Sequence, residues 1–101
     1  MERRYVIAPS ASRDLQEIAD YYLMHNVEAG EQLFQAFTEK CQQVARFPYS
    51  GRRYSHIRAD LRGLTVSSYI MLYRVTAEVV EVVRFVNGRR NMEALFENDS
   101  N

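Results

Sequence analysis

Hydrophobic positions change their spacing twice along this chain, and the changes mark out the elements. Arg4–Ala8 (Arg-Tyr-Val-Ile-Ala) reads as a short opening strand that Pro9-Ser10 breaks. Ala11, Leu15, Ile18 and Tyr22 then recur at helical spacing and predict an amphipathic helix over 11–25. Ser10 is the expected N-cap, with Asp14 and Glu17 near the positive end of the helix. His25-Asn26 is the expected stop, and a histidine there complements the helix dipole at the surface. A second helix is predicted from about Glu28 to Arg46, on the stripe Ala29, Leu33, Phe37, Cys41 (or Lys40) and Val44. Gly30 falls in its first turn, and Phe47-Pro48 ends it. The short link between the two favours an antiparallel helical hairpin.

Beyond Pro48 the period becomes that of strands. Pro48–Arg53 is a turn-rich loop. Leu61–Val66, Tyr69–Val75 and Val79–Val86 follow as three strands joined by tight turns at Ser67-Ser68 and Thr76-Ala77-Glu78, an antiparallel meander. Asn87–Arg90 is a sharp exit at Gly88, and 91–96 has room for one or two helical turns. The order is β-α-α-β-β-β, an α+β fold in which a helical hairpin packs on a small antiparallel sheet. One face of the sheet is expected under the helices and the other open, with Tyr69, Tyr73 and Phe85 in the core. Residues 1–96 make a single domain and 97–101 a polar tail.

Charge changes this picture more than composition does. The chain has 101 residues, a hydrophobic fraction of 47% and a net charge of zero. That zero conceals a dipole. Between Arg46 and Met92 nine arginines face three acids, a net +6, whereas residues 1–45 and the last nine residues each carry −3. Arginine offers a planar fork suited to carboxylate or phosphate, so the second half is expected to meet an anionic partner, nucleic acid or acidic peptide. The single Cys41 rules out an internal disulfide and a metal-type cysteine pair, and no cofactor or metal is expected. With no signal peptide and no stretch of membrane-spanning length, the expectation is a cytoplasmic protein with no membrane partner.

Four motifs carry a family resemblance: Ala11-x-x-Asp14-Leu15-x-x-Ile18-x-x-Tyr21, Phe47-Pro48-x-x-Gly51-Arg52, Leu61-Arg62 followed by Tyr69-x-x-x-Tyr73-Arg74-Val75, and Val82-x-Arg84-x-Val86-x-Gly88-Arg89-Arg90-Asn91. In this order and spacing the chain resembles the RelE/ParE superfamily of bacterial type II toxin–antitoxin toxins. The resemblance implies one of two activities, inhibition of DNA gyrase (ParE-like) or ribosome-dependent cleavage of mRNA (RelE-like). Cleavage through the 2′-hydroxyl needs a base, an acid and cations. Compared with the RelE-like pattern, Arg62 and Arg90 match cationic positions. Leu64 and Ile70 replace expected cations, and Phe96 stands near the expected C-terminal tyrosine. Were the chain a ribonuclease, Arg62, Arg84 and Arg90 would be its catalytic candidates. Arginine stabilises charge but shuttles protons poorly, and His56 is a lone loop histidine, so the residues favour the ParE-like reading.

On that reading the target-contacting candidates are Arg52, Arg53, Arg62, Arg84, Arg89, Arg90, Asn91 and Phe96. Arg62 and Arg84 are expected on the open sheet face unless Glu81 or Asp60 claims one of them. Tyr49 and Tyr54, beside Arg52-Arg53, are the aromatics expected to make contacts, and Met92, Leu95 and Phe96 either pack back on the sheet or meet a partner. The implied partners are DNA gyrase and a ParD-like antitoxin whose acidic segment folds along the toxin's groove, with operator DNA reached only through the antitoxin. Both a homodimer and a hetero-oligomer with the antitoxin fit a chain of this size.

Overall fold

The computed structural model describes residues 3–88. The elements are β1 (Arg4–Ile7), α1 (Pro9–His25), α2 (Val27–Arg46), β2 (Arg52–Arg53), β3 (Leu61–Val66), β4 (Tyr69–Val75) and β5 (Val79–Asn87). The five strands lie in the order β1-β5-β4-β3-β2. The meander of β3, β4 and β5 is antiparallel, as the tight turns require. β1 joins it parallel to β5, with Ile7 opposite Val82. A parallel neighbour needs a long crossover, and the helical hairpin supplies it. The expected helical turns at 91–96, like the tail, lie outside the described residues.

α1 begins two residues earlier than expected. Proline's fixed φ suits the first helical residue, so Pro9 opens the helix and Ala8 takes the cap position with no side-chain cap. Ser10 is therefore not the N-cap. Its Oγ donates to the Val83 carbonyl at 2.7 Å. At the other end Asn26 closes α1 through its backbone and caps α2, its Oδ1 accepting from the Ala29 N–H at 3.1 Å. His25 is exposed, stacked on Tyr21, with Nδ1 2.7 Å from the Tyr21 carbonyl oxygen.

The principal core lies between hairpin and sheet. Ala11, Ile18, Leu33, Phe37, Cys41 and Val44 meet Val66, Met71, Tyr73, Val80, Val82 and Phe85. Cys41, not Lys40, completes the α2 stripe. Its sulfur sits 3.7 Å from that of Met71, and burial pushes its thiol up to about 11, so it is no nucleophile at neutral pH. The two helices touch closely at Gly30, where an added Cβ would lie 2.7 Å from the Tyr22 Cβ. That neighbour is fixed to its own backbone and cannot swing aside. Gly30→Ala should thus lose more to overpacking than the ~1 kcal/mol it gains in helix propensity, for a net loss of about 1 kcal/mol. A melting temperature at or above wild type would contradict this.

The second sheet face is not open as the sequence suggested. The chain from Arg53 to Leu61 folds back over it, through hydrogen bonds from the Ile57 and Arg58 amides to the Tyr54 carbonyl. Tyr54 drops onto Leu61, Leu72 and Val86 to form a second, smaller core, with Ile57, Ile70 and Val83 at its margin. Tyr54 is consequently a packing residue, 8% exposed, rather than a contact aromatic. Tyr49 remains exposed.

Candidate functional site

β1 ends at Ile7 while β5 runs on to Asn87, so the β1-side edge of β5 would be bare beyond Val82. Three groups from the chain entering α1 cover it. The Ala8 amide donates to the Val82 carbonyl, Ser10 Oγ to the Val83 carbonyl, and Asp14 Oδ2 accepts from the Phe85 amide at 2.9 Å. Between β4 and β5 the register slips at Leu72/Tyr73, as at a β-bulge. Here Arg84 makes a fork-to-fork pair with Asp14, Nε to Oδ2 at 2.7 Å and Nη2 to Oδ1 at 3.1 Å. Their side chains are only 14% and 12% exposed. This corrects the expectation for Arg84, which lies in a structural ion pair against α1 and not on an open face. The acids expected to engage Arg62 or Arg84 serve a different arginine, since Glu81 and Asp60 flank Arg74 at 2.6 and 3.5 Å.

Three candidates do come together, at the far edge of the sheet. β2 is an edge strand of two exposed arginines. Charged residues on so short a strand keep another sheet from pairing with it. Arg53 stands directly opposite Arg62 of β3, and Arg52 opposite Gly63. Arg62 Nη1 donates to the carbonyls of Gly51 at 3.0 Å and Tyr49 at 3.4 Å, and its guanidinium lies 5.0 Å from the centre of the Tyr49 ring. Arg52 lies 5.6 Å from the ring of Tyr54, next to which His56 sits. Each stacking holds a long side chain in place. Arg89, Arg90, Asn91 and Phe96 lie outside the described residues.

Tyr73 fixes the loop that leads into this edge. Its hydroxyl donates to the Pro48 carbonyl at 2.8 Å and accepts from the Gly51 amide at 2.9 Å. Gly51 is required by this closeness, because a Cβ there would lie 2.4 Å from the hydroxyl oxygen. The Phe47-Pro48-x-x-Gly51-Arg52 pattern therefore describes a loop clamped to the central strand. Burial raises the Tyr73 pKa, against the Gly51 amide and the Arg62 guanidinium, which lower it. Both hydrogen-bonding roles of this phenol are filled by the loop it holds.

Two further surface features were not apparent in the sequence. An open groove of about 900 Å3 runs beside β1 and the end of α2, lined by Arg3, Arg4 and Arg46 together with Tyr5, Glu39 and Phe47. It lies at the opposite edge of the sheet from β2. Near the hairpin turn a smaller apolar hollow of about 230 Å3 is lined by Tyr22, Val27, Gly30 and Phe34, with Leu23 and Met24 exposed nearby. Among the described residues no cluster of His, Cys, Asp and Glu could hold a metal ion, and no helix is long and apolar enough to cross a membrane.

This architecture is shared with a solved structure described as the chromosomal ParDE TA system from P. aeruginosa. The match has a TM-score of 0.72 and covers 85% of this chain and 96% of that one, at 18% sequence identity, which speaks for the fold alone. Sequence similarity goes further. Residues 5–92 match the family described as the ParE toxin of the type II toxin–antitoxin system parDE. Toxin ParE1 of Mycobacterium tuberculosis (strain H37Rv) is 33% identical over 95 residues, covering 92% of this chain and 97% of its own. Toxin ParE3 of Caulobacter vibrioides is 36% identical over 52 residues, 52% of each chain. The chain belongs to the ParE toxin family.

Proposed function

We propose that this toxin acts by docking on DNA gyrase, and so blocks replication, and that it does not cut RNA. The observation that carries this reading is the engagement of the sheet arginines. Arg84 is bound bidentately by Asp14, and Arg62 is held by two carbonyls and a ring. RNA cleavage would ask such residues to stabilise a pentavalent phosphate beside a proton donor and acceptor. Here Arg84 ties β5 to α1, away from the β2–β3 edge, and what surrounds Arg62 is carbonyls and a ring rather than a proton donor and acceptor; beside it Arg52 and Arg53 stand exposed, which is what a docking surface needs.

On the same reading the toxin works in the cytoplasm and is silenced by a ParD-like antitoxin. The groove lined by Arg3, Arg4 and Arg46 suits an acidic segment of that partner, with steering by opposite charge and folding on binding. The complex would reach operator DNA through the antitoxin.

Purified toxin should block gyrase supercoiling at micromolar concentration and leave transcripts intact in a translating extract. Codon-specific cuts in translated mRNA, with supercoiling untouched, would falsify the proposal.

A further inference from the structure

The β2–β3 edge contains a conflict that its own fold does not relieve. Arg53 and Arg62 are Cα partners on antiparallel strands, so their side chains leave the same face side by side. Like charges directly opposite one another destabilise a sheet. Among the described residues no carboxylate pairs with either of them, and the ion pairs go to Arg74 and Arg84. Arg52 adds a third positive charge on the same edge, and the nearby acid Asp60 lies 3.5 Å from Arg74. An anion between Arg53 and Arg62 would relieve that repulsion.

The occupant can be narrowed by chemistry. Among the described residues Arg62 uses only Nη1 for its two carbonyl contacts, so the rest of its fork retains donors for another acceptor. The Tyr49 ring covers one face of that guanidinium, which favours approach of the anion in the guanidinium plane. Arg52 extends the positive charge to the other side of the same strand, beside Tyr54. A single carboxylate cannot satisfy cations on both sides of a strand. A polymer with a charge at every step can, and a nucleic-acid backbone is such a polymer.

We propose that this edge is a clamp for the phosphate backbone of duplex DNA, with the Arg53–Arg62 pair at its centre and Arg52 as its second arm. The proposal deepens the gyrase reading, and rests on it only in choosing DNA as the nucleic acid. The toxin would then grip the DNA that its target enzyme holds.

The test needs no gyrase. Fluorescence anisotropy of a labelled duplex, titrated with the toxin across a salt series, should show binding that weakens steeply with salt. Arg53→Gln and Arg52→Gln should each lower the slope of log affinity against log salt by about 1, because each removes one phosphate contact. Both residues are exposed, so the variants should keep the wild-type circular dichroism spectrum. Arg13→Gln, an exposed change on α1, should leave DNA affinity unaltered. Equal affinity for polyglutamate would overturn the clamp, since any polyanion would then do. So would unchanged DNA affinity in both edge variants, or loss of affinity in Arg13→Gln equal to theirs. A toxin that binds DNA in this way yet leaves supercoiling untouched would sink the gyrase reading and leave the clamp standing. Inhibition of gyrase without any DNA binding would do the reverse.

Discussion

Replacing Asp14 by alanine should destabilise the protein by about 3–5 kcal/mol, the loss typical of breaking a buried ion pair from one side. The change takes a partner from two groups at once. Arg84, with a side chain only 14% exposed, loses a bidentate partner, and the Phe85 amide loses its acceptor. It also uncovers the edge of β5 where β1 stops. A domain of this size has a total stability of roughly 5–15 kcal/mol, so the variant should be partly unfolded or close to it. Asp14→Asn keeps the shape and one acceptor but loses the charge, and should fall between the two. Adding Arg84→Met to Asp14→Ala should recover part of the loss, since the charge that lost its carboxylate is then absent. Urea titrations of the four proteins provide the measurement. An alanine variant within about 0.5 kcal/mol of wild type would show that the pair is a bystander, as many surface pairs are.

The same residue shows where the sequence could and could not be read. Asp14 follows the buried Ala11 by three positions and precedes the buried Ile18 by four, so an acid stands on the apolar stripe of α1. That placement announces a buried partner. Its identity as Arg84, seventy residues away, depends on how β5 passes under α1, which no local pattern encodes. The helices and the three-strand meander were legible because their apolar spacing is strong and their turns are short. β2 was not, because two arginines after a glycine carry no strand signal and take their form from β3. The burial of Tyr54 was hidden for a related reason. A tyrosine in a polar loop looks the same whether it points to solvent or onto Leu72 and Val86. Of the candidate contacts, Arg52, Arg53 and Arg62 share one edge, and Arg84 belongs to the frame that supports the sheet.

That division gives the fold a functional logic. The edge we propose for docking is built on a two-residue strand that could not hold its shape alone. Its position is set by pairing with β3 and, through the loop before it, by one side chain of β4. Tyr73 is fully buried between α2 and the sheet, and its hydroxyl reaches past the core to hold both ends of the Pro48–Gly51 loop. Stability and docking should therefore be separable at this residue. Tyr73→Ala removes the ring as well as the hydroxyl, and should cost about 3–5 kcal/mol through the cavity alone, enough to threaten folding. Tyr73→Phe retains the packing and leaves the Gly51 amide without its acceptor, a loss of about 1–3 kcal/mol that most of the fold should survive. In the folded Phe variant the loop is no longer tied to β4, so Arg62 loses the fixed carbonyls of Tyr49 and Gly51 that orient it. Amide hydrogen exchange should then quicken at Gly51 and in β2 while α1 and β5 keep their protection. Toxicity in cells should fall further than the lost stability explains, and an Arg53→Gln change should add little to that fall, because both act on one edge. A Phe variant with native exchange at Gly51, or with full toxicity, would mean that the loop is held by other contacts and that the arginine edge does not depend on Tyr73.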